Sequence, residues 1–268
     1  MKKLKYILFL IPIIFLRNPY TISDSKILLA PSFRNILGTD NLGRDIYTRL
    51  LIGTCNTLLI VLISIVLASL LGILLGAISG YYSGTLDNII QMFIEIILSI
   101  PSILIAISVI VIIGVGYKAL ILAIMLMYLP SITNYSRGLF IKEKDKEYII
   151  AAKTYGVKSF RIITRHILPN IAKYIFLNFE INFSKAILTE AGLGFLGIGI
   201  DPSIPTLGNM LNSSQTYFLT APWFPLFPGL TIIYIVYLVN NFSLKKGKKH
   251  GRIRNWKFEC YNRFRTFT

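Results

Sequence analysis

The chain has 268 residues, 54% hydrophobic and 15% charged, with a mean hydropathy of +0.65. A soluble domain needs more charge than that to cover its surface, and the apolar residues fall in long runs, so several membrane spans are expected instead. The formal net charge of +16 suits a nucleic-acid binder, but the Lys and Arg residues gather in loops and tails as the positive-inside rule expects, and no stacking motif accompanies them. Nucleic acid is therefore set aside as a partner. Cys55 and Cys260 fall in an interfacial stretch and a basic tail, which argues against a disulfide. The chain carries no CxxC, HExxH, GxSxG or Walker A pattern, and its only histidines are His166 and His250. No catalytic, metal or cofactor site is expected, and the chain reads as a non-enzyme.

Lys2, Lys3 and Lys5 precede a short apolar run, Tyr6–Leu16. No small-x-small cleavage site follows it, so it reads as a short first span, weakened by Pro12, with a cytoplasmic N-terminus. The polar segment Asn18–Leu50 contains Gly38-Thr39-Asp40-Asn41-Leu42-Gly43-Arg44-Asp45. Thr39 or Asp40 is placed to cap a short helix, and the two glycines permit turns on either side. An interfacial capped helix is favoured there over a direct substrate contact.

Leu58–Ile78 is a clear span. Gly72, Gly76, Gly80 and Gly84 recur every four residues on one helix face, which predicts close packing of a neighbouring helix. The next span, Asn88–Ile113, is interrupted by Glu95 and Pro101. Pro101 predicts a kink, with Ser99 or Ser102 satisfying a freed carbonyl. Glu95 is either an interfacial carboxylate or a functional one, an even choice on sequence. Ala119–Tyr135 is the fourth span. The fifth, Ile171–Ile198, carries Glu180, Lys185 and Glu190, whose five-residue spacings put neighbours about 140° apart on a straight helix. Asp201–Trp223 reads as an ordered outer loop, and the last span runs from Trp223 to about Leu244.

Six spans place Arg137–Lys173 and the tail on the inner side. Twenty-one of the 28 Lys and Arg residues then lie on inner segments, against six on outer ones, which the positive-inside rule favours. Within the long basic insertion, Tyr148, Ile149, Ala152 and Tyr155 fall on one helical face. Gly156 suits a helix stop, Ser159–His166 a second short helix, and Leu168-Pro169-Asn170 a break before the fifth span. Periodicity leaves two readings open: a compact knob for a partner protein, or an amphipathic helix on the lipid surface.

The insertion resembles the EAA loop of membrane subunits of ABC importers, with Ala151, Ala152, Gly156, Leu168 and Pro169 at the pattern's positions. Ile150 stands where that pattern usually has Glu, and His166 where it prefers an aliphatic residue. HILPN, LGTDNLGRD (Leu37–Asp45), LLGILLGAISGYYSG (Leu70–Gly84), ILTEAGLGFLGIG (Ile187–Gly199), and PTLGNML followed by TAPWFPLFPGL (Pro205–Leu230) are similar to the dipeptide/oligopeptide/nickel branch, specifically its second permease. The resemblance implies an all-α integral membrane protein of about six transmembrane helices with a cytoplasmic coupling-helix loop, the type I ABC importer permease fold. It divides the chain into 1–50 (N-terminal span and outer segment with GTDNLGRD), 51–244 (permease domain, with the EAA-like loop at 138–170) and 245–268 (basic cytoplasmic tail).

Further expectations come from the same resemblance. They are a bacterial inner-membrane location with both termini cytoplasmic, a heterodimer with a homologous permease, two cytoplasmic ABC ATPases that bind ATP and Mg, and an extracytoplasmic solute-binding protein. Glu147, Ala151, Ala152, Gly156, His166, Leu168 and Pro169 would form the ATPase-coupling element. Glu95, Pro101, Lys185 and Glu190 are candidates for the translocation pathway, with Glu95 and Glu190 at positions where the family commonly has acidic residues. Lys185 departs from the usual small residue, Asn182 from a common acidic one, and the tail from the family's acidic, glycine-bearing ending. Peptide is the expected cargo, with nickel or a metal chelate the alternative. A stand-alone carrier using Glu95, Glu180, Lys185 and Glu190, or an inactive remnant, are the competing classes.

Overall fold

The computed structural model describes residues 18–23 and 26–241. The short first span at Tyr6–Leu16 and the tail Lys245–Thr268 lie outside them, as does Cys260. Helix α1, Ile46–Tyr82, has 37 residues. It begins well before Leu58 because the Asp45 carboxylate caps it, accepting from Thr48 N at 2.9 Å. The interfacial stretch and the span expected after it are therefore one rod, and the boundary placed at residue 50 falls inside it. At 1.5 Å per residue α1 is about 55 Å long, well beyond a hydrocarbon core of about 30 Å.

Helices α2 (Thr85–Ser99) and α3 (Ser102–Ile113) follow. They were expected as one kinked span, but extended backbone at Ile100 and the missing N–H of Pro101 separate them by a 92° bend. Ser99 Oγ donates to the Ile96 carbonyl at 2.7 Å, within the last turn before the break. Gly114 and Gly116 turn the chain into α4, Tyr117–Lys144. Helix α4 runs past the expected end at Tyr135, so Arg137 lies inside it.

The insertion forms α5 (Glu147–Thr154) and α6 (Ser159–Ile162), then a π-helical turn, Ile163–Ile167, that leads directly into α7, Leu168–Phe195. The expected break at Leu168-Pro169-Asn170 is absent: Pro169 lies in the first turn of α7, immediately after the π-helical turn. A loop then leads to α8 (Leu207–Ser214), and α9 (Trp223–Asn241) closes the described chain. Among the described residues, three helices, α1, α4 and α9, are long and apolar enough to cross a membrane, or four if α2 and α3 together count as one bent span. Helix α7 falls outside that set because it carries Lys173, Glu180, Lys185 and Glu190 along its length.

The core is built with small residues inward. Ala68, Gly72, Gly76 and Gly80 of α1 are buried, while Leu62, Leu70, Leu71 and Leu74 point outward. A Cβ on Gly72 would lie 2.8 Å from Ile132 Cγ2, on Gly76 2.6 Å from Ser136 Cβ, and on Gly80 2.7 Å from the Arg137 carbonyl. Helices α1 and α4 thus touch backbone to backbone. Gly84 is not part of this contact: nothing lies within 4 Å of its would-be Cβ, and it serves the α1–α2 turn at φ +68°. Ile60, Val61, Ile65, Leu120, Ile124, Ile187 and Leu207 continue the packing towards α7 and α8.

Candidate functional site

The knob is assembled at the end of the bundle where α1 finishes. Ile149 of α5, Ile162 of α6, Ile167 of the π-helical turn and Ile171 of α7 bury against Phe140, Ala77 and Tyr81. Each such side chain contributes about 1.5–3 kcal/mol when taken out of water. Gly156 turns the chain between α5 and α6 at φ +74°, a conformation open to glycine at no steric cost. Gly156 N–H donates to Lys153 O at 2.9 Å and Val157 N–H to Ala152 O at 3.1 Å, closing α5. The Lys153 ammonium sits over the Tyr81 ring, 5.1 Å from its centroid.

Of the four residues expected on one apolar face, Ile149 and Ala152 turn inward. Tyr148 is partly exposed and makes a polar link, and Tyr155 points outward. The inward face is spent on the bundle rather than left for lipid. What remains outside is a second apolar surface: Ile150 is 53% exposed, Phe160 77% and Tyr155 87%. Ala151 and Glu147 are also exposed, the latter in the first turn of α5. Leu168 packs into the buried cluster, His166 is half-buried, and Pro169 is exposed.

Polar contacts fasten the knob to the helices beside it. Tyr148 Oη donates to Glu143 Oε1 at 2.5 Å, Asn170 Nδ2 donates to Tyr148 Oη at 2.9 Å, and Lys146 Nζ pairs with Glu143 Oε2 at 2.7 Å. Burial and the bond to Glu143 hold the Tyr148 phenol above its ordinary pKa. Nearby, Arg137 grips Asp87 through two bonds of 2.7 and 2.6 Å. These partners were not anticipated. Glu143 and Tyr148 are separated by a helix break, and Asp87 and Arg137 by 50 residues, so no local spacing pairs them. Asp87 just before one apolar run and Arg137 just after another were the one available sign.

The candidate pathway residues are not gathered into one place. Glu95 is exposed on α2, Pro101 sits at the α2–α3 break, and Lys185 is exposed on α7. Glu190 is fully buried between α7, α1 and α8, so it does not line an open passage in this conformation. The Thr57 and Thr206 side chains face its carboxylate. Those hydroxyls accept from Leu207 N and Asn209 N, each at 3.1 Å, and keep their O–H groups for the carboxylate. Just beyond, α7 and α8 cross closely: a Cβ on Gly194 would lie 2.9 Å from Gly208 Cα.

At the opposite end, the GTDNLGRD block is a cap rather than a helix. Gly38 and Gly43 turn at φ +80° and +70°. Thr39 Oγ1 donates to the Lys26 carbonyl and accepts from Leu29 N, so it caps no helix. Asp40 is 1% exposed, pairs with Arg44 at 2.6 Å and Arg49 at 3.5 Å, and also accepts the N–H groups of Leu42 and Arg44. Arg49 reaches on to the carbonyls of Pro19 and Ser203. The (i, i+4) spacing of Asp40 and Arg44 was a readable sign of this cluster.

Comparison with known proteins bears on what this assembly serves. The profile of the family described as binding-protein-dependent transport system inner membrane component matches residues 72–246. The chain is 36% identical over 214 residues to the dipeptide transport system permease protein DppC of Alkalihalophilus pseudofirmus, covering 80% of this chain and 70% of that protein. It is 34% identical over 210 residues to the glutathione transport system permease protein GsiD of Pectobacterium atrosepticum, covering 78% and 70%. The fold is similar to a chain of the methionine ABC transporter MetNI solved in inward-facing conformations, with TM-score 0.59, 18% identity, and 73% of this chain and 93% of that chain covered.

Proposed function

This chain belongs to the family of binding-protein-dependent transport system inner membrane components, and on that premise we propose that it is the membrane-spanning permease subunit of an ATP-driven peptide importer. It is a multi-pass inner-membrane protein. The observation that carries the mechanism is the knob, which buries one apolar face on the bundle and leaves Ile150, Tyr155 and Phe160 on the other. Exposed apolar side chains on an otherwise basic projection suit a protein groove.

In this reading the knob end faces the cytoplasm, as do both termini. The knob sits on one of two ATPases, which hold ATP and Mg, and a homologous permease completes the pathway. An extracytoplasmic binding protein delivers cargo at the cap end. Closure of the ATPases displaces the knob, and the helices rock between two states. Ile150 brings no carboxylate to the contact, so Glu147, exposed one turn away, supplies the acidic group there.

Peptide as cargo rests on the relatives named for dipeptide and glutathione transport; nothing in them favours nickel. In a bacterial strain lacking its matching permease, expression of this chain is expected to restore energy-dependent uptake of a labelled dipeptide and to leave nickel accumulation unchanged. Nickel uptake without peptide uptake, or peptide uptake that persists after deletion of the ATPase genes, would overturn the proposal.

A further inference from the structure

Helix α2 is joined to the bundle in an unusual way. Only Asp87 and Ile94 of its residues are buried, and its far end stops at the Pro101 break. It is a 15-residue rod held by polar groups at its base and by the buried Ile94 further along, with the break at its other end. The base is gripped by α4 and α1: Arg137 Nε and Nη2 fork onto the two Asp87 oxygens, Ser79 Oγ of α1 donates to the same carboxylate, and Lys144 Nζ donates to Ser83 Oγ in the α1–α2 turn. Arg137 and Lys144 are two helical turns apart and share a face. Glu143, next to Lys144, holds the knob through Tyr148 and Lys146, and Asn170 extends that link to α7. One short length of α4 thus grips both the knob and the α2 base.

We propose that Tyr148, Glu143, Arg137 and Asp87 are positioning residues that transmit knob displacement through the end of α4 to α2, the broken helix. Apolar packing alone would let the knob slide, because it has no preferred direction. A bidentate fork and a buried, hydrogen-bonded carboxylate fix angle as well as distance. The Tyr148–Glu143 bond passes motion to α4, and the Arg137–Asp87 fork passes it to the rod that ends at the Pro101 break.

The inference rests on the transport reading, and its test separates the two. The complete complex, with its ATPases, second permease and binding protein, is reconstituted in liposomes. Labelled dipeptide uptake and ATP hydrolysis are measured together. Tyr148→Phe and Asp87→Asn each change one polar group with little change of shape. Each is expected to lower uptake per ATP hydrolysed about three- to tenfold while ATPase co-purification stays at the wild-type level. The double variant is expected to be no worse than the more affected single, because both interrupt one relay. An unchanged ratio in both singles, a double-variant loss equal to the product of the single losses, or failure of both singles to assemble would each overturn the relay. A wild-type complex that hydrolyses ATP without moving dipeptide would instead overturn the transport reading.

Discussion

Gly76→Leu is expected to leave no monodisperse folded protein in detergent, the largest effect of any single change in the bundle. A Cβ at Gly76 already lies 2.6 Å from Ser136 Cβ, 2.8 Å from Arg137 N and 2.9 Å from Thr133 O. Two of those three atoms are backbone and cannot rotate away. Overpacking a core costs about 1–3 kcal/mol where side chains can yield, and more where helices must separate. In a membrane, where lipid is as apolar as leucine, α1 and α4 adhere through close contact and have little hydrophobic drive to replace it. Gly84→Ala is the comparison: it meets nothing within 4 Å and pays for a positive φ with extended ψ, about 1–3 kcal/mol. Size-exclusion profiles and thermal unfolding of the two variants check this. Equal stability for Gly76→Leu and the wild-type chain would contradict the close α1–α4 contact.

Asp40→Ala is expected to cost about 3–5 kcal/mol and to release the cap from α1. The change leaves Arg44 and Arg49 buried with no opposite charge and removes the acceptor for the N–H groups of Leu42 and Arg44. Arg49 links α1 to Pro19 and Ser203, so the loss spreads to the segment before α1 and the loop before α8. Asp40→Asn keeps an acceptor for the turn but no charge, and should fall between Ala and wild type. Limited proteolysis of residues 18–45 in the purified protein reads the release directly. Cleavage no faster in Asp40→Ala than in the wild type would show that the buried cluster does not hold the cap.

Much of this was legible from residue order. Long apolar runs located α1, α4 and α9, the Gly72–Gly80 spacing marked the face that α4 meets, and Gly156 marked the turn within the knob. The misplaced features depend on single side chains or distant partners. Asp45 extends α1 backwards by capping it, which hydropathy does not register. Pro101 separates two helices instead of bending one, because Ile100 is extended. Ile149 and Ile150 are adjacent and chemically alike, yet one is fully buried and the other exposed. Only the packing of α5 on Phe140 and Ile162 distinguishes them. Glu190 reads on sequence only as a carboxylate within a span; its burial beneath α8 depends on residues far along the chain.

The central claim is that the outward face of the knob is the seat of a cytoplasmic ATPase. It is tested most directly by co-purification of tagged permease with its ATPases, comparing wild type with the Tyr155→Glu, Phe160→Glu double variant. Both side chains are exposed and support nothing in the bundle, so the variant should melt at the wild-type temperature. If these aromatics anchor the contact, ATPase recovery should fall by about tenfold or more, since central interface aromatics commonly contribute about 2 kcal/mol or more each. Equal recovery of ATPase with both proteins would contradict the claim.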